Sequence, residues 1–73
     1  MTRLISLPGR EVCRKLKKAG FEYIRQKGSH TFWRHPDGRS TVVPMHRGED
    51  LGRGLLRSIL NDVEIKPEDF LEL

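Results

Sequence analysis

Residues 21–45 read FEYIRQKGSHTFWRHPDGRSTVVPM, and this stretch decides the fold. Phe21 to Lys27 is rich in aromatic and β-branched residues and stops at Gly28-Ser29, the two-residue punctuation of a tight hairpin. His30 to His35 is then a second strand. Pro36-Asp37-Gly38-Arg39 has the composition of a turn, and Ser40 to Met45 supplies a third strand. Three short strands joined by two tight turns predict an antiparallel meander. Side chains alternate across a sheet, so Phe32 and Trp33, being consecutive, cannot both face the core. Whichever is exposed stands beside Arg34, where it could stack on a nucleobase or merely support a loop.

On either side of the strands the apolar spacing turns helical. Val12, Leu16 and Ala19 share one face between Gly9 and Ala19, with Arg14, Lys15, Lys17 and Lys18 around the rest. Pro8 suits the first turn of such a helix and Gly20 its left-handed end. Leu51, Leu55, Leu56, Ile59 and Leu60 repeat the pattern, predicting a second helix from Leu51 or Gly52 to Asp62, with Glu49-Asp50 as its cap. Lys66 to Leu71 reads as a last short turn returning Phe70 to the core. The expected architecture is α+β, in the order α-β-β-β-α, with a three-stranded antiparallel sheet carrying two helices on one face. The other face is left open to water or a partner.

Residues 1–73 are expected to form a single domain, since a chain this short builds one core and has nothing left to enclose a deep cavity. Cys13 is the only cysteine, which excludes an internal disulfide and favours a reducing compartment, the cytoplasm. It lies beside Val12 and Leu16 and reads as packing, not as a nucleophile. No segment approaches the roughly 20 apolar residues of a membrane span, and residues 1–8 do not resemble a signal peptide. Charge is unevenly distributed. Residues 1–48 hold eleven Lys/Arg against three acids, a net of +8, whereas residues 49–73 hold three against seven, a net of −4. A basic majority gathered in one part of a module is the footprint of a polyanion such as RNA, although a plain solvated surface carries the same signal.

The histidines raise the question of a metal first. His30, His35 and His46 have no cysteine companions, and His30 and His35 differ by an odd number on one strand, which puts them on opposite sides of the sheet. No metal or other cofactor is therefore expected. Nucleophilic triads, a phosphate-binding glycine loop and a close carboxylate pair are also missing from the sequence. RNA cleavage asks for less, because the substrate's own 2′-hydroxyl attacks the adjacent phosphate and the protein need only carry protons and offset charge. Histidine titrates near neutrality and suits that task. His30 follows Gly28-Ser29, where backbone can approach a phosphate closely, and is flanked in sequence by Arg25, Lys27 and Arg34. A strand-start histidine is also an ordinary surface residue. The residues alone leave three readings open: a ribonuclease, an RNA-binding module without catalysis, and an interaction domain whose basic face docks an acidic protein.

The ordered set Ala19-Gly20-Phe21, Gly28-Ser29-His30, Arg34-His35-Pro36-Asp37-Gly38-Arg39, Val43-Pro44-Met45-His46, then Leu51, Gly54 and Leu56-Arg57-Ser58-Ile59-Leu60 resembles the HicA family of bacterial toxins. The likeness covers nearly the whole chain. It implies a double-stranded-RNA-binding-domain-like fold, an mRNA interferase activity, a HicB-type antitoxin as partner, and His30 as the catalytic histidine, and with the histidine spacing the cleavage is expected to be metal-independent. Arg25, Lys27, Gly28, Ser29 and Arg34 are then the expected RNA contacts. Two departures concern the second helix. Gly54-Leu55-Leu56 replaces the family's Gly-Thr-Leu, and Val63-Glu64-Ile65 replaces Ala-Gly-Ile, so Glu64 must take a strained conformation or the helix must end differently.

Overall fold

A computed structural model describes residues 3–73. The three central strands form as their sequence dictates: β2 (Glu22–Lys27), β3 (His30–Arg34) and β4 (Ser40–Pro44) make an antiparallel sheet in the order β2-β3-β4. Helix α1 (Gly9–Lys18) precedes them and α2 (Arg53–Val63) follows, with a short α3 (Pro67–Leu71) behind. A further feature escaped the sequence reading. Leu7–Pro8 (β1) pairs antiparallel with Asp50–Leu51 (β5), Leu7 against Leu51 and Pro8 against Asp50. This two-rung bridge joins the residues just ahead of both long helices, so that neither helix start can drift from the other. It also changes the part of Asp50, which was expected to cap α2. Asp50 is held in β5 and Gly52 takes the cap position without a side-chain hydrogen bond.

Alternation along the strands divides the sheet into two faces. Thr31, Trp33, Thr41 and Val43 point under the helices and are buried. There Val12 and Leu16 of α1, Leu56, Ile59, Leu60 and Val63 of α2, and Phe70 of α3 close one core with Phe21, Trp33 and Val43. Both helices therefore cover the same side, and Phe70 returns to the core as expected. The buried hydroxyls are accommodated. Trp33 Nε1 donates to Thr31 Oγ1 at 3.0 Å, Thr31 Oγ1 donates to the Val43 carbonyl at 2.7 Å, and Thr41 Oγ1 donates to Asp62 at 2.9 Å.

Helix α2 ends as the missing glycine forces it to. Glu64 occupies the left-handed region, φ 55° and ψ 44°, and the chain turns there with the Ile65 amide bonded to the Leu60 carbonyl at 3.2 Å. A left-handed residue with a Cβ costs roughly 1–2 kcal/mol relative to glycine. The guanidinium of Arg39, reaching across from the β3–β4 turn, donates to the Val63 carbonyl at 2.6 Å and satisfies part of the exposed helix end.

Lys15 departs from its expected place on the outer surface of α1. It is 5% exposed, its Nζ donating to the main-chain oxygens of Leu71 (3.0 Å) and Leu73 (3.1 Å) while its stem lies among the core residues. An ammonium can be buried only where oxygens replace its water, and Leu71 at the end of α3 and Leu73 beyond it supply them. In β2 the pairing with β3 slips between Tyr23 and Arg25, leaving Ile24 as the extra residue of a bulge. Strand β2 is one of the two edge strands, with every residue exposed.

Candidate nucleic-acid interface and active site

The β2–β3 turn is built from Lys27, Gly28, Ser29 and His30, with only Gly28 at positive φ (59°), the pattern of a two-residue hairpin turn that needs glycine at its first central position. Two bonds fix it. Gln26 Nε2 donates to the Gly28 carbonyl at 2.9 Å, and the Met45 amide donates to the Ser29 carbonyl at 2.6 Å. Met45 is itself anchored, packing on the core with Cys13 Sγ 3.7 Å from its sulfur. The turn before His30 is thus tied through Met45 to the inside of the molecule.

His30 is the first residue of β3 and is exposed. It stands across from Lys27 on one side and Pro44 on the other. By alternation it shares the open face with Phe32, Arg34, Ser40 and Val42, and the bulge brings Arg25 onto that face opposite Phe32. The Arg25 guanidinium lies 4.7 Å from the centre of the Phe32 ring. Phe32 is therefore the aromatic on the open face and Trp33 the one inside. The ring is half-buried under Arg25, so a planar guanidinium, itself able to stack on a base, presents the outermost surface there. A shallow depression of about 450 Å³ runs on past Arg25, Phe32, Arg34 and Val42. Arg34 sits four residues along the strand from His30, about 13 Å away. The two can serve one RNA strand but not one phosphate.

The other histidines are placed differently. His35 is on the covered side, its ring edge-on to Phe21 at 5.1 Å between centres, and its Nδ1 accepts the Asp37 amide at 3.1 Å. It leaves no room beside Gly20, where a Cβ would lie 2.9 Å from its Nε2. His46 is exposed, beyond the end of β4. Among the described residues no three His, Cys, Asp or Glu side chains gather as a metal site.

Not every cation of the basic half is available to an anion. Arg39 is bound to Asp37, Val63 and the Phe21 ring, Arg14 pairs with Glu11, and Lys15 is buried. The Arg39 amide and guanidinium hold the Asp37 carboxyl below the usual carboxylate range, and burial pushes the Cys13 thiol up, which keeps that sulfur protonated and inert. The engagements of Arg39 with Val63 and Phe21 and of Lys15 with Leu71 and Leu73 escaped sequence reading because their partners are remote in the chain. The cations that remain on the open face are Lys27 across from His30, Arg25 across from Phe32, and Arg34 at the far end of the strand, where Glu22 stands across from it.

The sequence matches, over residues 9–65, the family described as HicA toxin of bacterial toxin-antitoxin. A curated protein of Pseudomonas fluorescens (strain Pf0-1), named "Probable mRNA interferase HicA", is 41% identical over 56 residues, which cover 77% of this chain and 92% of that protein. The matched span takes in both long helices, the whole meander and the glycine turn that presents His30, and on that ground the chain belongs to the HicA family of toxins.

Proposed function

We propose that this protein is an endoribonuclease, an mRNA interferase that works without a metal or cofactor in the cytoplasm and is neutralised by a HicB-type antitoxin. The observation that carries the reading is the placement of His30, an exposed imidazole at a rigid glycine turn on the uncovered face, beside Lys27 and in line with Phe32 and Arg34. His30 carries a proton in the attack of the 2′-hydroxyl on its neighbouring phosphate. The main chain at Gly28 and Ser29 lets the phosphate come close, Lys27 offsets its charge, and Arg25 and Arg34 hold the flanking nucleotides. The name of the Pseudomonas relative supports mRNA as the substrate. An antitoxin with acidic side chains opposite this face would exclude RNA and associate fastest at low salt. No helix among the described residues is long and apolar enough to cross a membrane.

The test is single-turnover cleavage of mRNA in excess chelator, beside thermal melting, for the wild type and His30→Ala. Loss of a general acid or base lowers the rate on the order of 10²- to 10⁴-fold, while truncating an exposed side chain changes stability by about 0.5 kcal/mol or less. Activity and stability should separate, and RNA affinity should fall little. Wild-type cleavage by His30→Ala would overturn the assignment. RNA binding without any cleavage by the wild type would replace it with the non-catalytic binding module.

A further inference from the structure

Transfer of a phosphoryl group to a 2′-hydroxyl moves two protons, one off the attacking oxygen and one onto the departing 5′-oxygen. A single imidazole would have to do both in turn. The geometry points to a second proton carrier: we propose that His46 shares the catalysis with His30, one imidazole acting as base and the other as acid. This rests on the cleavage activity proposed above.

The register brings the two together. His30 is opposite Pro44, and the Met45 amide continues the ladder by one rung to the Ser29 carbonyl. Met45 packs on the core, and the next residue, His46, already beyond the end of β4, is exposed like His30. A chain kept extended from Pro44 to His46 would set their Cα atoms about 8 Å apart, one cross-strand step and two residues along the strand. Imidazoles on such a pair can reach opposite sides of one phosphate. His46 is held there, because its carbonyl accepts the Glu49 amide at 3.1 Å in a turn whose Gly48 has φ 79°. The depression it borders, about 430 Å³, lies between the start of α1 and this loop, with Arg10 and Arg47 as its cations and Glu49 and Asp50 as its acids. His46 has no structural duty that competes: it is exposed, whereas His35 is packed against Phe21.

The step balances without any co-reactant. One imidazole takes the 2′-hydroxyl proton as the 2′-oxygen bonds to phosphorus, the bond from phosphorus to the 5′-oxygen breaks, and the other imidazolium gives that oxygen its proton. The products are a 2′,3′-cyclic phosphate and a 5′-hydroxyl.

The test compares two RNAs of one sequence, an ordinary one and one whose 5′-bridging oxygen at the cleavage point is sulfur, a leaving group that needs no acid. The proteins are wild type, His30→Ala, His46→Ala and His46→Gln, each checked by thermal melting. On ordinary RNA both His46 variants should be slowed on the order of 10²- to 10⁴-fold, with melting unchanged. On the sulfur substrate the variants at one of the two histidines should recover most of the loss and those at the other should not, which identifies the acid. A His46 variant as fast as wild type on ordinary RNA would overturn the proposal. So would identical responses of the two sites to the sulfur substrate. Wild type inert on both RNAs would instead bring down the cleavage reading itself.

Discussion

The same three strands present two faces made under opposite rules. On the covered face the buried polar side chains are partnered and the rings packed: Thr31, Trp33, Thr41 and Val43 are all at most 5% exposed. On the open face His30, Arg34 and Val42 touch water, and Phe32 is sheltered only by the movable guanidinium of Arg25. Neighbouring residues in sequence therefore answer to different demands, packing for one and chemistry for the next.

The sharpest way to break that comparison uses the adjacent pair Phe32 and Trp33. Trp33→Ala should cost about 3–5 kcal/mol, because it leaves a cavity in a close-packed core. A domain of this size has roughly 4–11 kcal/mol in total, so the variant should melt far below the wild type. Phe32→Ala should cost under about 1 kcal/mol. Chemical denaturation of the two variants measures the contrast, and equal losses would show that the faces are not distinct.

That contrast was half legible in the sequence. Alternation required Phe32 and Trp33 to part, and the turn residues at Gly28-Ser29 and Pro36 to Arg39 fixed the strand limits to within a residue or so. Which ring went inside was not decided, because it depends on Thr31 as a partner for the indole and on Arg25 reaching its place through the Ile24 bulge, a register slip that leaves no pattern in sequence. The β1–β5 bridge was also hidden, since two-residue strands have no periodicity. Within the site, His30 and its turn were readable. The Met45 tie was not, being a main-chain bond, nor was the engagement of Arg39 and Lys15, whose partners are remote carbonyl oxygens.

A smaller effect sharpens the covered side. Thr31→Val keeps the shape but removes the oxygen that accepts the Trp33 indole, and a buried unpaired donor costs about 1–3 kcal/mol. Thr31→Ser should restore most of it. Melting curves in which Val and Ser behave alike would remove the hydrogen bond from the account.

The smallest effect lies at the rim where the faces meet. Asp37 is held below its ordinary pKa by the Arg39 amide and guanidinium, so its contribution to stability is present above the unfolded value, about 3.9, and is lost as pH falls through the lower folded value. Asp37→Asn should melt slightly below wild type at neutral pH, and the difference should close as the solution is acidified to about pH 2. A gap that stays constant over that range would mean the ion pair contributes nothing.

The Ile24 bulge has one more consequence, for how copies of this protein treat one another. An outer strand is a template on which another chain can lay down a strand and begin a fibril, and Tyr23 and Ile24, 49% and 52% exposed, would make this one adhesive if it ran straight. The extra residue bends it and disrupts the regular spacing that a growing stack needs, and Arg25 and Lys27 set like charges against a second copy. Deleting Ile24 would straighten the strand, and with it remove a built-in guard against aggregation.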